Sequence, residues 1–293
     1  MFYNCPLLIN IDLSNFNSKN LEDISGMFCK CSSLTNINLS NLDTKNVKKM
    51  KSLFYNCSSL KTLDLSNFIT QNVEDFDCMF YGCSSLVNLN LSNFNTENAI
   101  NMPEMFYNCK SLIQLDLSNF RTKKVKNMGN MFSGCSSLLD INLSNFNTQN
   151  VTNMQEIFYN CKSLKSLNLS NFNTQNVENM GSMFAECSSL ESLDLSNFNT
   201  QNATSMYYMF ENCKSLKKLD IYNFNTQNVK RTTETIYNED GSTQIISVPE
   251  TDSCHLFRGC ISLKRQNVIA KDNKLIEEIP KDKEPEPDDC LII

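Results

Sequence analysis

The sequence predicts an α/β repeat fold, a solenoid in which each 26-residue rung contributes one parallel β-strand and one short helix. The first observation is a cysteine that recurs in strict 26-residue phase, at Cys5, Cys31, Cys57, Cys83, Cys109, Cys135, Cys161, Cys187 and Cys213. The second is that each rung contains two halves with different apolar periods. A fixed period of this size is typical of solenoids, where each unit buries its apolar face against the next one.

The second half of each rung is predicted to be a β-strand. In the rung that begins at Val151, Leu167 and Leu169 alternate with polar residues, so the two leucines face the same side. Stacked copies would form one parallel sheet with strands about 4.8 Å apart, and nine rungs would make that sheet about 40 Å long.

The first half of each rung is predicted to be a short helix. Its apolar residues follow spacings of 3, 3, 1 and 3, at Val151, Met154, Ile157, Phe158 and Cys161. These spacings place them on one helical face. Thr148 and Asn150 suit the helix entry, because a side-chain oxygen there can accept hydrogen bonds from free backbone N–H groups.

Two polar and aromatic columns follow the strand. The first holds an asparagine in every copy, at Asn15, Asn41, Asn67, Asn93, Asn119, Asn145, Asn171, Asn197 and Asn223. Such a side chain can satisfy backbone groups of the turn and of the next rung. The adjacent column is Phe in eight copies and Leu42 in one, which predicts a stacked apolar spine between the sheet and the helices.

The repeat pattern resembles a known family. Met-Phe-x-x-Cys-x-Ser-Leu followed by Leu-Ser-x-Phe-x-Thr is similar to the BspA-like leucine-rich repeats of bacterial and protozoan surface proteins, over residues 1–230 and again at 256–263. The resemblance implies a leucine-rich-repeat solenoid, and a role in binding or adhesion instead of catalysis.

The chain divides into four predicted parts. Residues 1–230 hold nine repeats, and residues 231–253 form an inserted hairpin around an Asp-Gly turn. Residues 254–271 form a degenerate capping repeat, and residues 272–293 form a flexible, Pro-rich and charged tail. The hairpin is either a decoration near the cap or a protruding binding element.

The chain begins in the middle of a rung, since Met1, Phe2 and Cys5 match Met27, Phe28 and Cys31 one period later. We expect either a partner or upstream residues to cover the apolar surface of this rung.

The last four residues, Cys290-Leu291-Ile292-Ile293, match the Cys-aliphatic-aliphatic-X pattern for prenylation of the cysteine. The terminal isoleucine resembles leucine, which favours geranylgeranyl. Only Lys281 and Lys283 are basic nearby, and one lipid without a polybasic patch gives marginal, reversible membrane binding. We therefore expect a prenyl tether that holds the chain reversibly at a membrane.

The cysteine column predicts buried, unpaired thiols. Cysteines at the same position of successive rungs point in parallel, which is poor geometry for a disulfide. Free thiols fit a reducing compartment. The net charge of −6 gives no general attraction to nucleic acid.

The exposed strand position carries a polar strip with a carboxylate at about every second rung. We name it the Asx strip: Asp12, Asn38, Asp64, Asn90, Asp116, Asn142, Asn168, Asp194 and Asp220. One hypothesis makes it the ligand-binding surface, suited to protein loops, basic peptides or divalent cations. The alternative is a ladder of side chains that hydrogen-bond along the sheet and keep it soluble.

Catalysis is poorly supported by the sequence. The chain has one histidine, His255, and no phosphate loop, nucleophile elbow or cluster of metal ligands. We expect no enzyme activity, no catalytic residues, no cofactor and no metal.

The sequence therefore predicts a protein-binding scaffold whose partners contact the exposed sheet face. Through Cys290 it would be tethered to the cytosolic face of a membrane, the plasma membrane being favoured. The alternative is an adhesin at the cell surface that binds host or extracellular-matrix proteins. The sequence does not indicate an oligomeric state.

Overall fold

The computed structural model describes residues 1–229, 233–237, 243–247 and 255–279, and shows a solenoid of stacked 26-residue rungs. Eight short strands follow the repeat: β1 (Asn10–Asp12), β2 (Asn36–Asn38), β3 (Thr62–Asp64), β4 (Asn88–Asn90), β5 (Gln114–Asp116), β6 (Asp140–Asn142), β7 (Ser192–Asp194) and β8 (Lys218–Asp220). The remaining elements in the described residues are β9 (Thr233–Tyr237), β10 (Thr243–Ser247), a 3-10 helix (Arg265–Asn267), β11 (Val268–Ile269) and one α-helix, α1 (Asn273–Glu277). The predicted parallel strands are confirmed.

The strands pair in groups instead of forming one continuous sheet. β1 pairs with β2, β3 with β4, and β5 with β6, always parallel and with partners 26 residues apart, such as Leu63 and Leu89. β8 lies between β7 and β11. Residues 166–168 belong to the described chain but form no strand. The predicted single sheet is therefore divided into two-rung units over its first six rungs.

The asparagine column joins the rungs where the strands do not pair. Between β4 and β5, Asn119 Nδ2 lies 2.8 Å from Leu91 O and 2.7 Å from Phe94 O in the preceding rung. Between the paired strands β3 and β4, Asn93 Nδ2 donates to Ser66 O alone. The bridging role predicted for this column is confirmed, although the amide bonds point to the preceding rung instead of the next one.

The helix predicted in each rung is wrong, because this half of the rung is a run of tight turns. Met27 N donates to Ile24 O across 3.1 Å, a bond that spans three residues instead of four. Gly26 and Lys30, each the third residue of its turn, have a φ of 61°, which type II turns require. Consecutive turns whose backbone hydrogen bonds join residues three apart place apolar residues at nearly helical spacing. The sequence pattern therefore does not distinguish such turns from a short helix.

Bonds between rungs explain why turns replace the helix. Phe28 N donates to Leu53 O at 3.0 Å and Lys30 N to Tyr55 O at 2.6 Å, and the same 25-residue step recurs along the chain. A helix would direct these N–H groups along its own axis. Turns leave alternate N–H groups free to bond the next rung.

The buried threonines also act between rungs. The Thr148 hydroxyl donates to Asn173 O at 2.8 Å and accepts from Asn173 N at 2.8 Å. The predicted role of Thr148 at a helix entry is therefore wrong. The hydroxyl pins one rung to the following one, as the equivalent threonines do along the stack.

The core consists of parallel columns of identical side chains. Phe28 stacks on Phe54 with ring centroids 5.3 Å apart, and Phe120 stacks on Phe146 at 6.3 Å in the second phenylalanine column. Both columns continue along the solenoid, and the second one is the apolar spine expected from the sequence.

The cysteine column is unpaired, as predicted, and it is buried except at Cys5, which is half-buried. The Cys135 thiol donates to Phe106 O at 3.2 Å, and eight further cysteines make the equivalent bond to the preceding rung. Every cysteine in the described part of the chain is a free thiol. The column therefore supplies both packing and a bond between neighbouring rungs.

At one turn position with positive φ, every second rung carries an asparagine, and the rung that follows carries a glycine in three cases and Lys30 or Glu186 in the other two. Asn108 (φ 55°) lies beneath Gly134 (φ 75°), and a Cβ added to Gly134 would overlap Asn108 Oδ1. Asn56 and Gly82 repeat the arrangement two rungs earlier. The asparagine side chain thus occupies the space that the glycine leaves open.

The C-terminal cap extends further than predicted. Phe257 stacks on Phe210 at 5.6 Å, and β11 pairs with β8. The flexible tail expected from residue 272 is wrong for residues 272–279, because α1 follows and both Leu275 and Ile279 are buried. Burial of these two side chains fixes the segment against the last rung.

The insert and the tail are described only in part. β9 and β10 pair antiparallel, as expected for the two runs of the hairpin. Their connection and Cys290-Leu291-Ile292-Ile293 lie outside the described residues. Within the described ranges, no helix has the length and apolar character needed to cross a membrane.

Replacing Asn119 by Ala is expected to lower the free energy of unfolding by about 2–3 kcal/mol, because several backbone carbonyls lose their donor. Asn93→Ala removes one bond at a strand-paired junction and is expected to cost about 1 kcal/mol. Urea unfolding of the two variants beside the parent chain measures the difference. Equal losses would contradict the division into paired and amide-bridged junctions.

Alkaline pH is expected to unfold the chain steeply. Burial raises the pKa of Cys83, Cys135 and Cys187 from 9.0 to about 12. The unfolded chain releases these protons first, so stability is complete below pH 9 and declines as pH rises toward 12. Each such thiol contributes about 1.4 kcal/mol per pH unit in that window.

The measurement is urea unfolding at a series of pH values in the presence of a reductant. Cys135→Ala removes one titrating thiol, so its stability is expected to decline less steeply above pH 9 by about 1.4 kcal/mol per unit. The comparison of slopes is independent of any loss of packing at neutral pH. An unchanged slope in Cys135→Ala would show that the buried thiol does not control the alkaline transition.

Candidate binding face

The Asx strip lies at the last position of each strand from β1 to β8, on the exposed side, and Asn168 takes the equivalent position in the rung that forms no strand. β3 shows the arrangement, with Leu63 buried while Thr62 and Asp64 are exposed. The side chains of the strip are exposed in eight rungs and half-buried at Asp220. The structure therefore places all nine predicted residues on one face, one per rung.

Every residue of the strip uses one oxygen for a structural bond. Asp64 Oδ1 accepts from Ser66 N at 2.9 Å, and Asn90 Oδ1 accepts from Ser92 N at 3.1 Å. The other seven accept equivalently from the residue two positions later. This bond ends the strand in an Asx turn. Asp and Asn therefore serve the turn equally well. They differ in the second polar atom of the side chain, which is a carboxylate oxygen in Asp and an amide nitrogen in Asn.

Some strip residues also bond to one another. Asn38 Nδ2 donates to Asp12 Oδ1 at 3.0 Å across the β1–β2 pair. This contact supports the ladder alternative at that pair. It leaves the second carboxylate oxygen of Asp12 on the exposed face, so a structural role and a binding role are compatible there.

Hydrogen bonds favour the ionised form of Asp12, Asp64 and Asp194 by lowering the pKa of each carboxyl. Hydrogen bonds lower the pKa of Asp64, first from the Ser66 backbone N–H and then from the Ser66 hydroxyl. Ser196 lowers the pKa of Asp194, first through its hydroxyl. Over the first six rungs Asp and Asn alternate, which places the charges about 10 Å apart and limits their repulsion. The strip is therefore a line of spaced negative charges.

Two shallow grooves lie on this face. One of about 600 Å³ is lined by residues of three rungs, including Asp64, Val87, Ile113 and Asp116. The second, of about 530 Å³, lies over the rungs of Asn38 and Asp64. Both open along the strand face, so strip residues from neighbouring rungs contribute to one surface. This surface suits an extended ligand better than a small enclosed one.

Sequence reasoning missed an apolar column beside the strip. Val87, Ile113 and Leu139 occupy the same position in three successive rungs, immediately before β4, β5 and β6, and are 40%, 45% and 51% exposed. The sequence does contain a signal for this column, namely the change from a charged to an apolar residue at one repeat position. The flanking rungs carry Lys61 and Lys165 there.

A tyrosine stack was also missed. Tyr55, Tyr81 and Tyr107 stack with centroids 4.5 Å apart at each step. Burial, followed by the neighbouring tyrosines, raises the pKa of Tyr81 to about 12. Each ring packs against the face of the next one, so the stack stabilises the turn half of these rungs.

The described residues form no cluster of His, Cys, Asp and Glu suited to a metal ion. His255 stacks on Tyr208 with centroids 5.5 Å apart. Cys254, its neighbour in the chain, and the predicted lipidation site Cys290 lie outside the described residues.

Comparison with known sequences gives one family. A family model described as "Mycoplasma protein of unknown function, DUF285" matches residues 1–114, 61–167 and 139–248. No curated protein matches the chain.

Solved structures of repeat proteins are similar at low scores. A leucine-rich repeat protein from Bacteroides ovatus is 19% identical with a TM-score of 0.45, and the match covers 92% of this chain and 62% of that one. One from Eubacterium ventriosum is 17% identical, with a TM-score of 0.39 and coverage of 89% and 70%. A TLR13–ssRNA13 complex is 15% identical, with a TM-score of 0.21 and coverage of 88% and 51%.

The chain thus spans 62% of the length of the Bacteroides protein. The solenoid of this chain is defined by the register of its strands and by the hydrogen bonds between its rungs.

Asp64→Asn is expected to leave stability at neutral pH within about 0.5 kcal/mol of the parent chain, because Asn keeps the Oδ1 acceptor. Asp64→Ala loses the Asx turn and is expected to be less stable. The lowered pKa of Asp64 adds stability above its ordinary value of 3.8, which is lost as pH falls below it. Acid unfolding should therefore depend less on pH in Asp64→Asn, and equal behaviour of Asn and Ala variants would contradict the turn role.

Proposed function

Because the chain belongs to the family described as Mycoplasma protein of unknown function, DUF285, whose description names no activity, we propose its function from its geometry: it is a protein-binding repeat scaffold. The observation that carries this proposal is the Asx strip, a line of exposed carboxylates and amides that continues over nine rungs. Its ligand face is the strand face, and its partners are proteins.

The chemistry of this face favours binding. The carboxylates are evenly spaced along the solenoid, whereas catalytic carboxylates converge on one reacting atom. The grooves are wide and shared by several rungs. One oxygen of each strip residue fixes the turn, so the remaining atom is held in place with little loss of side-chain freedom on binding.

The tether is a second part of the proposal. Cys290-Leu291-Ile292-Ile293 supports prenylation by its pattern, which would hold the scaffold at the cytosolic face of a membrane. Acidic residues precede it, so anionic lipid would not strengthen binding. The scaffold would then exchange between the membrane and the surrounding solution.

We expect a photo-crosslinker placed at Asn88, on the strand face, to capture protein partners in cells that make this chain. The control carries the crosslinker at the exposed Gln71, outside the strip and its grooves. Combining Asp64→Asn, Asp116→Asn and Asp194→Asn keeps the turns and removes three charges, so it should reduce capture at Asn88 several-fold. Capture that is equal at both positions, or unaffected by the three substitutions, would exclude the strip as the ligand face.

The tether is tested by intact mass and membrane fractionation of the native chain beside Cys290→Ser. A prenyl mass increment that disappears in Cys290→Ser, together with membrane association, is the expected result. An unmodified Cys290 would overturn the tether. Surface labelling of intact cells would then test the alternative of an adhesin for host or matrix proteins.

A further inference from the structure

The apolar column Val87, Ile113 and Leu139 is not needed by the fold. All three side chains are 40% to 51% exposed, whereas the strand residues that build the core are buried. The same position holds Lys61 in the rung before, whose strand β3 pairs with β4, and Lys165 in the rung after. The Lys165 rung forms no strand, but its Cys161 and Thr174 side chains keep their hydrogen bonds to the neighbouring rungs. A polar residue is therefore compatible with this position, and the three apolar side chains call for another explanation.

Two of the three column residues contribute to a groove whose charged lining residues are all acidic. Val87 and Ile113 line the groove of about 600 Å³ together with Asp64 and Asp116. No lysine or arginine is among its lining residues, all of which the structure describes. The column and the strip are three residues apart along each strand, which separates them by about 10 Å.

The spacing of the charges limits the ligand. Asp64 and Asp116 are two rungs apart, or about 9.6 Å. In a polyproline II segment, residues three apart lie about 9.3 Å from each other on the same side. Basic side chains at every third position could therefore meet both carboxylates, while apolar residues between them face the column.

We propose that this groove binds an extended segment of a partner protein that carries basic residues three apart with apolar residues between them. The inference rests on the proposed scaffold function and names the chemistry of its ligand. Apolar burial against Val87, Ile113 and Leu139 supplies affinity, and Asp64 and Asp116 select basic side chains. Lys61 and Lys165 lie at the two ends of the apolar column, so they disfavour basic residues placed beyond it.

The probe is a fluorescein-labelled peptide of repeated leucine-proline-lysine triplets, and its partner peptide carries glutamate in place of lysine. Fluorescence anisotropy measures the affinity of both for the full chain. The lysine peptide is expected to bind, to weaken with added salt, and to bind at least about tenfold more tightly than the glutamate peptide.

Two matched variants locate the site. Ile113→Thr is expected to weaken the lysine peptide about tenfold, because one buried aliphatic contact is lost. Ile9→Thr changes an isoleucine that is 55% exposed at the equivalent position of β1, outside the groove, and should leave the affinity unchanged. Asp116→Asn keeps its turn and should weaken the lysine peptide while reducing the salt dependence.

Any other outcome contradicts the proposed binding of a basic segment in this groove. Absence of binding, equal binding of the two peptides, or equal effects of Ile113→Thr and Ile9→Thr would exclude it. Crosslinking at Asn88 separates this failure from failure of the scaffold. If partners are still captured at Asn88 when the peptides do not bind, the scaffold function is retained and only the peptide specificity is excluded. If capture at Asn88 is also lost, both the scaffold function and the peptide specificity are excluded.

Discussion

The hydrogen bonds between neighbouring rungs are the constraint on which the structure depends. A thin solenoid leaves many backbone groups that cannot pair within their own rung, and buried unpaired groups are costly. Phe28 N bonds to Leu53 O, the Thr148 hydroxyl to Asn173, and the Cys135 thiol to Phe106 O. Each bond needs its partner at a fixed distance along the chain, so the 26-residue period is enforced at many points of every rung. Side chains in the same column then lie above each other and pack as identical layers.

The period, the strands and the buried cysteine and phenylalanine columns could be predicted because internal copies show which positions do not change. The helix could not be predicted correctly, since turns with three-residue bonds and short helices share the same apolar spacing. The distinguishing feature is positive φ, which residues such as Lys30 and Glu104 adopt without the glycine that would reveal it. The grouping of strands into pairs was also hidden, because it depends on which rung donates the asparagine amide bonds. The buried α1 segment follows a break in the repeat, where no other copy guides the interpretation.

The candidate site shows a similar limit. The Asx strip was visible as a repeated polar column, but its double role was not, because the Asx turn depends on backbone geometry after Asp64 and its equivalents. The apolar column was overlooked for the opposite reason. Val87, Ile113 and Leu139 differ from the residues that other rungs carry at this position. A comparison of repeat copies emphasises the residues that the copies share, so such differences are easily overlooked. In a repeat protein the shared columns describe the fold, and the positions where a few rungs differ are better guides to ligand recognition.

The alternation of Asn108 and Gly134 bears on how such a chain can change its length. Asparagine fills the space left by glycine in the following rung, and the strands pair with the same two-rung rhythm. Deleting two adjacent rungs keeps this order, whereas deleting the Gly82 rung alone would place Asn56 beneath Asn108. Nearly identical rungs invite unequal recombination of their genes. Selection on folding would then favour variants that gain or lose 52 residues at a time, twice the 26-residue period.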